Sequence, residues 1–157
     1  MHKIEVLFKE EKNNAESVSV KNDIALELGI QLDSLKIVDC YYIQAELTEE
    51  ELQKTASKLF ADPIIQDYFI DKKAEIESDW KIEVKFHKDV TDNKGNAAII
   101  GVQDLIKRKF QENEEIRTSK KYFISGNVEE NQIKRICSEL LANQVVESFE
   151  FNKTKSD

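Results

Sequence analysis

The sequence predicts an α+β protein built from two β-α-β-α-β repeats, with antiparallel sheets and with helices packed on one face. Two phrases that close the halves are alike, "SKLFADPIIQDYFI" at 57–70 and "SELLANQVVESFEF" at 138–151. Two phrases that open them are alike as well, "KIEVLF" at 3–8 and "KIEVKF" at 81–86. Between these phrases, strand-like alternation and helical spacing follow in the same order. The predicted boundaries are repeat 1 at 1–71, a linker at 72–79, repeat 2 at 80–152 and a tail at 153–157.

Each repeat opens on a strand that leads through a polar turn into a helix. In the first strand, Ile4, Val6 and Phe8 alternate with polar residues, which is the period of a strand with one buried face. Gly29 follows the first helix and is placed to end it in the left-handed conformation. The apolar positions of the two helices have helical spacing: Val20, Ile24 and Leu28 in the first, and Ile99, Val102, Ile106 and Phe110 in the second.

The next strand of each repeat is unusually long. "LKIVDCYYIQAEL" at 35–47 aligns with "IRTSKKYFISGNV" at 116–128, an offset of 81 where the opening strands differ by 78. About three extra residues are therefore expected around the turn or the first helix of repeat 2. Thirteen residues extend roughly 43 Å, well beyond an ordinary strand. Part of each long strand is expected to leave its own repeat.

The second helix of each repeat is predicted from its cap and its apolar face. Thr48 with Glu51 has capping-box spacing, and Asn127 with Glu130 offers the same chemistry in repeat 2. "PIIQDYFI" and "QVVESFEF" then close the repeats as strands. The apolar faces of the two helices are Leu52, Ala56, Leu59 and Phe60, and Ile133, Cys137, Leu140 and Leu141.

The size of the repeats predicts that they pair with each other. A module of fewer than 80 residues buries relatively little of its surface and is marginal alone. A covalent tether keeps the partner module always present. We therefore expect a monomer that contains an intramolecular pseudo-dimer.

Composition and charge narrow the classes of partner. The chain is 40% hydrophobic and 34% charged, an ordinary globular composition, with a net charge of −8 that argues against nucleic acid as a partner. Residues 1–79 carry 9 Lys and 18 Asp+Glu, whereas residues 80–157 carry 14 Lys+Arg and 13 Asp+Glu. No apolar run approaches a membrane span and no signal peptide is visible, so we expect a cytoplasmic protein without a membrane partner.

With these elements in order, the chain resembles the PurS family, the small subunit of phosphoribosylformylglycinamidine (FGAM) synthase. The resemblance rests on "KIEVLF", "TDNKGNAAIIGV", "RTSKKYFISG" and the two closing phrases, and it covers nearly the whole chain. It implies a non-catalytic partner of a PurL-type synthetase and a PurQ-type glutaminase in purine biosynthesis. Family units are about half as long as this chain. The resemblance therefore fits either a tandem-duplicated PurS or the PurS-like N-terminal region of a long PurL-type synthetase.

The two repeats depart from the family pattern to different degrees. Repeat 1 has "NNAES" where repeat 2 has "DNKG" at 92–95, which is closer to the family's turn. In the alignment of the two repeats, Asp39 and Cys40 of repeat 1 correspond to Lys120 and Lys121 of repeat 2. If basic residues on the long strand contact the synthetase, only repeat 2 carries them.

No residue is predicted to be catalytic, to bind a cofactor or to bind a metal, and no cofactor is predicted. The four glycines match neither phosphate-binding fingerprint. Cys137 as a glutaminase nucleophile is less favoured than Cys137 as a packing residue, since it lies on an apolar helix face; Cys40 is also read as a reduced packing residue. A metal pair of His2 and His87 lacks any further residue at ligand spacing.

Arg117, Lys120 and Lys121 are the candidate partner-contact residues. Arg117 and Lys121 share one strand parity, opposite to that of Tyr122 and Ile124. The alternative is an ordinary solvated strand face. The functional interpretation is a surface that contacts an acidic partner or lies near the route between glutaminase and synthetase.

Three functions are weighed against each other. The first is a non-catalytic assembly subunit or domain that bridges synthetase and glutaminase and supports ammonia transfer. The second is a regulatory module that senses a small molecule bound between the repeats, because small α+β repeats often bind ligands there. A free-standing enzyme comes third, and fold alone does not decide among them.

Overall fold

The computed structural model describes residues 1–154, in which strands and helices alternate in the predicted order. No helix among these residues is long and apolar enough to cross a membrane. The α+β class is confirmed. The elements are β1 (His2–Phe8), α1 (Ala15–Leu28), β2 (Ser34–Gln44), α2 (Glu49–Lys54), β3 (Gln66–Ile70), β4 (Trp80–Phe86), α3 (Asn93–Ile106), β5 (Glu115–Ser125), α4 (Glu130–Ile136) and β6 (Glu147–Lys153).

The strands are hydrogen-bonded in the order β3-β1-β2-β5-β4-β6. β1 pairs antiparallel with both of its neighbours, so that Ile4 lies opposite Tyr41 on β2 and Ile70 on β3. β4 pairs antiparallel with β6, where Ile82 lies opposite Phe151. These registers confirm the predicted antiparallel pairing.

The chain divides into two compact units that differ from the two sequence repeats. Unit 1 comprises residues 1–9, 39–74 and 91–119, and unit 2 comprises residues 10–38, 75–90 and the chain from 120 onward. Unit 1 therefore contains α3, which belongs to repeat 2, and unit 2 contains α1, which belongs to repeat 1. β2 and β5 each contribute residues to both units, as expected for strands that leave their own repeat.

This exchange of helices changes the balance of charge. Unit 1 contains 11 Lys+Arg and 14 Asp+Glu, a net charge of −3. The described part of unit 2 contains 11 Lys+Arg and 16 Asp+Glu, a net charge of −5. The strong contrast between residues 1–79 and 80–157 is thus a property of the sequence halves and is much weaker between the compact units.

Each unit has its own hydrophobic core, to which residues of both repeats contribute. In unit 1, Ala98 and Val102 of α3 join the core built on β1 and β2. In unit 2, Ile24 of α1 joins the core built on β4, β5 and α4. The largest fully buried side chains are mainly branched aliphatics, among them Ile4, Ile24, Ile43, Ile82, Ile116, Ile124, Ile133, Ile136 and Val102.

The two long strands are shorter than predicted. Both have 11 residues, and β2 ends at Gln44 and β5 at Ser125. Two residues after β2 ends, both backbone groups of Glu46 bond to side chains of the loop before β5, as described below. β5 stops before Gly126, whose φ of 144° is a conformation that favours glycine.

The first helices both end in the left-handed conformation. Gly29 has φ 68° and caps α1, which confirms its predicted role. α3 ends at Ile106 because Lys107 adopts φ 61°. The prediction that the helical spacing of α3 continues to Phe110 is therefore wrong.

The three extra residues of repeat 2 lie after the helix. α1 and α3 keep the offset of 78 from end to end, and β2 and β5 keep the offset of 81. The connection at 29–33 has five residues and the connection at 107–114 has eight. The prediction that the insertion falls around the turn or in the helix is therefore wrong; its place is the loop that leads into β5.

The second helices begin and end in ways that the sequence shows only in part. Thr48 caps α2 through the predicted capping box. The prediction of Asn127 as the cap of α4 is wrong, because Glu129 is the N-cap residue and its N–H donates to Gln132 Oε1 at 2.9 Å. Both helices continue as a π-helical turn, Thr55–Phe60 after α2 and Cys137–Leu141 after α4.

The closing strands β3 and β6 begin three residues later than predicted. The first residues of "PIIQDYFI" and "QVVESFEF" form turns, and the strands start at Gln66 and Glu147. The predicted tail begins at residue 153, which still belongs to β6, and its last three residues lie outside the described part of the chain.

Candidate functional site

The three basic residues predicted to contact a partner all lie on β5, but in different environments. Arg117 belongs to unit 1 and is half-buried. Lys120 belongs to unit 2, is half-exposed and forms an ion pair with Glu16 at the start of α1. Lys121 is only 4% exposed. Arg117 and Lys121 both have interaction partners within the protein. The three side chains therefore do not form one open basic surface.

The start of α3, "TDNKG" at 91–95, is organised around the buried carboxylate of its N-cap residue. Asp92 is 2% exposed and accepts hydrogen bonds from the N–H of Gly95 at 2.8 Å and from the N–H of Thr118 at 2.6 Å. The Thr118 hydroxyl donates to the same carboxylate at 2.9 Å. A Cβ at Gly95 would lie 2.3 Å from the Ile116 carbonyl oxygen, so the close approach of α3 to β5 requires glycine.

Lys94, in the first turn of α3, reaches the strand β2 of the other repeat. Its Nζ lies 3.0 Å from Asp39 Oδ1 and 5.3 Å from the centre of the Tyr41 ring. Tyr41 stacks on Phe60 with ring centres 3.8 Å apart. Burial, together with the charges of Asp39 and Asp92, raises the pKa of Tyr41 to about 12. This phenol therefore stays protonated and acts as packing rather than as an acid or base at neutral pH.

The two ion pairs at the starts of the first helices have opposite polarity. Unit 1 pairs Lys94 on α3 with Asp39 on β2, and unit 2 pairs Glu16 on α1 with Lys120 on β5. At the repeat offsets of 78 and 81, Glu16 is equivalent to Lys94 and Asp39 is equivalent to Lys120. Each pair thus joins the first helix of one repeat to the long strand of the other, with the signs exchanged.

The loop at 107–114, which holds the extra residues, is closed by an ion pair in unit 1. Arg108 donates from Nη1 and Nη2 to the two carboxylate oxygens of Glu114 at 2.7 and 3.0 Å. Arg108 also donates to the Glu46 carbonyl at 2.8 Å, and the Glu46 N–H donates to Glu114 at 3.0 Å. The hydrogen bond from Arg108, supported by backbone donors, lowers the pKa of Glu114 to about 2.

This loop forms one wall of an open polar cleft of about 430 Å³ in unit 1. Residues of both repeats line the cleft. The guanidinium of Arg108 and the carboxylate of Glu114 are already paired, which leaves side-chain amides and one further carboxylate as ligand-binding groups. The lining residues are Met1, Gln44, Ala45, Glu46, Arg108, Gln111, Asn113 and Glu114.

The cysteines and histidines are engaged in the structure of each unit. Cys40 and Cys137 are buried thiols, as predicted for packing residues. Burial raises the pKa of Cys137 to about 12, so a nucleophilic thiolate is not accessible there. His2 Nδ1 lies 2.8 Å from Asp71 Oδ2, and His87 Nε2 lies 3.0 Å from the Gln144 carbonyl. Within residues 1–154, His, Cys, Asp and Glu side chains form no group of three or more that could hold a metal ion.

Sequence reasoning missed the buried Asp92 network and the ion pair between Arg108 and Glu114, although the sequence contains a signal of both sites. Asp92 stands three residues before Gly95, which is the spacing of an N-cap residue and the backbone N–H that it accepts from. The change of offset from 78 to 81 indicated an insertion, but its site required the helix boundaries.

Comparison with known families finds a match for about half of the chain. Residues 79–155 match the family model PurS, described as phosphoribosylformylglycinamidine (FGAM) synthase. The match begins just before β4 and continues through β6. A comparison with curated proteins gave no match.

Proposed function

Through residues 79–155 this chain belongs to the PurS family, whose role is in FGAM synthase and purine biosynthesis, and we propose that it is a non-catalytic assembly subunit or domain. It bridges a PurL-type synthetase and a PurQ-type glutaminase, so that ammonia passes between them without escaping to solvent. The observation that carries this proposal is the family match itself.

The environment of the reactive side chains supports an assembly role. The thiol of Cys137 is buried and its pKa is raised to about 12, so it does not serve as the glutaminase nucleophile. Tyr41 is protonated and packed at neutral pH. Arg108 and Glu114 bond to each other and to the backbone of Glu46. These groups stabilise the fold, and the chemistry belongs to the partner proteins.

The proposal includes the state and place of the protein. Because both repeats are present in one chain, we expect a monomer in which the repeats pair internally, acting in the cytoplasm. Among the predicted contact residues, Arg117 and Lys120 are the half-exposed ones. Lys121 is 4% exposed, so its charge reversal would disturb the fold before it reported on a partner.

The proposal is tested by light scattering on the full chain, alone and mixed with the synthetase and glutaminase of the same organism. We expect a monomer alone and a larger assembly in the mixture, together with glutamine-dependent activity that requires this chain. An unchanged glutamine-dependent activity without the chain would exclude the assembly role.

A pair of charge reversals tests the predicted contact. Arg117→Glu is compared with Lys36→Glu, since Lys36 occupies the equivalent position on β2 at an offset of 81 and is exposed. We expect weaker association for Arg117→Glu and wild-type association for Lys36→Glu. If Arg117→Glu associates as strongly as Lys36→Glu and the wild type, Arg117 is not part of the contact surface.

The polar cleft in unit 1 favours a second candidate function, a module that senses a small molecule. Its volume of about 430 Å³ lies in the range of small-molecule sites, and residues from both repeats line it. A thermal-shift screen with nucleotides and amino acids tests this candidate. Stabilisation by a small molecule alone, lost in Gln111→Ala, would favour sensing, because a ligand that binds only the folded state raises its stability.

A further inference from the structure

In unit 2, the short loop between α1 and β2 closes directly onto the end of β5. The Asp33 N–H donates to the Ser125 carbonyl at 2.8 Å, and a Cβ at Gly126 would lie 3.1 Å from the Asp33 nitrogen. The Gly126 N–H in turn donates to Asp79 Oδ2 at 2.9 Å. The chain itself therefore fills this place in unit 2.

In unit 1, the equivalent loop is three residues longer and does not close in this way. Glu114 occupies the position of Asp33 at the offset of 81, but its N–H donates to the Gln111 carbonyl at 2.9 Å. The loop at 107–114 thus bends back on itself beside the end of β2. The space left between them is the open polar cleft of about 430 Å³.

The loop that lines this cleft is fixed by the ion pair between Arg108 and Glu114. Besides Arg108, the Glu114 carboxylate accepts the N–H of Gln111 at 2.8 Å, which holds the backbone of Gln111 in place. Asn113 lies between these two anchored residues. Gln111 and Asn113 are therefore presented by a preorganised loop, which lowers the cost of ordering them around a ligand.

The charges of the cleft disfavour an anionic ligand. Four of the five N–H groups of Arg108 already donate to acceptors of the protein. The hydrogen bond from Glu114, together with the charges of Glu114, Glu51 and Glu46, raises the pKa of Arg108, so carboxylates outnumber the guanidinium here. The described residues that line the cleft include no second Lys or Arg. Phosphates and dicarboxylates, which are usually held by such cations, therefore find little to bind them.

The side-chain amides of the cleft point to a different ligand chemistry. Gln44, Gln111 and Asn113 line it and are exposed, and each amide offers both donors and an acceptor. The complement of such a group is a ligand that presents a donor and an acceptor side by side, as a carboxamide or the edge of a nucleobase does. A nucleobase is commonly also stacked on an aromatic ring, and the described lining contains none. The carboxamide is thus the better match.

We propose that the polar cleft of unit 1 binds small molecules that carry a primary carboxamide, which exchanges hydrogen bonds with the side-chain amides of Gln44, Gln111 and Asn113. The proposal rests on the second candidate function given above and names the ligand class of that same site. The ligand's NH₂ group donates to an amide oxygen of the cleft, and its carbonyl oxygen accepts from an amide NH₂ group. A carboxylate in the same place offers acceptors only and is repelled by Glu46.

The test is isothermal titration calorimetry on the full chain with two matched pairs of ligands, L-glutamine with L-glutamate and L-asparagine with L-aspartate. The members of each pair differ only in carrying a carboxamide or a carboxylate. The variants Gln44→Leu and Gln111→Leu each remove one amide of the cleft. Gln31→Leu is the matched control, because Gln31 is exposed and lies in the short loop of unit 2.

We expect at least one of the two carboxamides to bind, and its acid partner to bind at least about tenfold more weakly. The loss of one neutral hydrogen bond should weaken binding by about 2- to 10-fold in Gln44→Leu and in Gln111→Leu. Gln31→Leu should bind as the wild type does. All three variants should keep the wild-type melting temperature, because the substituted side chains are exposed.

The outcomes separate this inference from the proposed functions. If an acid binds as tightly as its amide, or if Gln31→Leu weakens binding as much as the cleft variants do, the carboxamide site is wrong. If neither amide binds but a nucleotide stabilises the chain and this effect is lost in Gln111→Ala, the sensing function stands and the carboxamide class is wrong. If no small molecule binds while the chain still assembles with the synthetase and glutaminase, both the site and the sensing function are wrong and the assembly role stands.

Discussion

Thr55 is predicted to be a position at which the protein gains stability by losing a hydroxyl. The side chain starts the π-helical turn after α2 and is completely buried, and among the residues that the structure describes its Oγ1 has no hydrogen-bond partner. Nearby Ser57 donates its hydroxyl to the Gln53 carbonyl, as helical hydroxyls commonly do. At the offset of 81, repeat 2 has the fully buried Ile136 in the position of Thr55.

The change Thr55→Val replaces the hydroxyl by a methyl group of similar size. A buried polar group without a partner costs about 1–3 kcal/mol, and Thr and Val have similar helix propensities. We therefore expect the free energy of unfolding to rise by about 1–2 kcal/mol. The melting temperature should then rise by roughly 2–8 °C, since a domain of this size gains about 2–4 °C per kcal/mol. Urea denaturation followed by circular dichroism measures the change.

Thr118→Val is the matched control in the same unit. Thr118 is also buried, but its hydroxyl donates to the buried carboxylate of Asp92 at 2.9 Å. Removing a hydrogen bond to a charged group costs about 1.5–3 kcal/mol, so this variant should be destabilised. The reasoning is refuted if Thr55→Val lowers stability as Thr118→Val does, because the hydroxyl of Thr55 would then have a partner that stabilises the fold.

Three further outcomes are expected from the contacts of unit 1. Gly95→Ala should lower the free energy of unfolding by at least about 2 kcal/mol in urea denaturation, because its Cβ would lie 2.3 Å from the backbone oxygen of Ile116. Gly101→Ala, within the same helix, should be neutral or should stabilise the protein by up to about 1 kcal/mol, because the new Cβ would meet the end of the flexible Leu59 side chain at 3.0 Å. An equal loss of stability in both variants would contradict the steric argument. The bond to Arg108 lowers the pKa of Glu114 from its ordinary value of 4.5 to about 2 in the folded protein. The bond therefore stabilises the fold fully above pH 4.5, and this contribution is lost as the pH falls toward 2. Glu114→Gln should therefore flatten the acid limb of the stability curve over this window, and an unchanged acid limb in thermal melts would refute the assignment.

Strand and helix types could be predicted from the sequence because each relies on a local period. Ile4 and Val6 alternate with polar residues, and the alternation needs no knowledge of what lies above the strand. Gly29 could be predicted as a left-handed cap because glycine tolerates that conformation at no steric cost. Lys107 adopts the same conformation without any such signal, so the sequence predicts too late an end for α3.

Burial of individual strand residues was harder to predict. The parity of Lys121 suggested an open face, yet the side chain is 4% exposed. Period-2 patterns identify a polar face, but they do not show whether another element covers it. The division into units was equally invisible, because a helix carries no local mark of the strand against which it packs. The cleft in unit 1 depends on a contact between Arg108 and the backbone of Glu46, two residues that are 62 positions apart.

The reversed ion pairs make the two repeats chemically non-interchangeable. A symmetric pair made from two copies of repeat 1 would set Glu16 against Asp39, and a pair made from two copies of repeat 2 would set Lys94 against Lys120. Each exposed pair contributes little by itself, about 0–1 kcal/mol, but like charges in the same places repel. The repeats therefore prefer each other to themselves. Association of two chains through like repeats would place like charges together, whereas any pairing of repeat 1 with repeat 2 keeps both ion pairs.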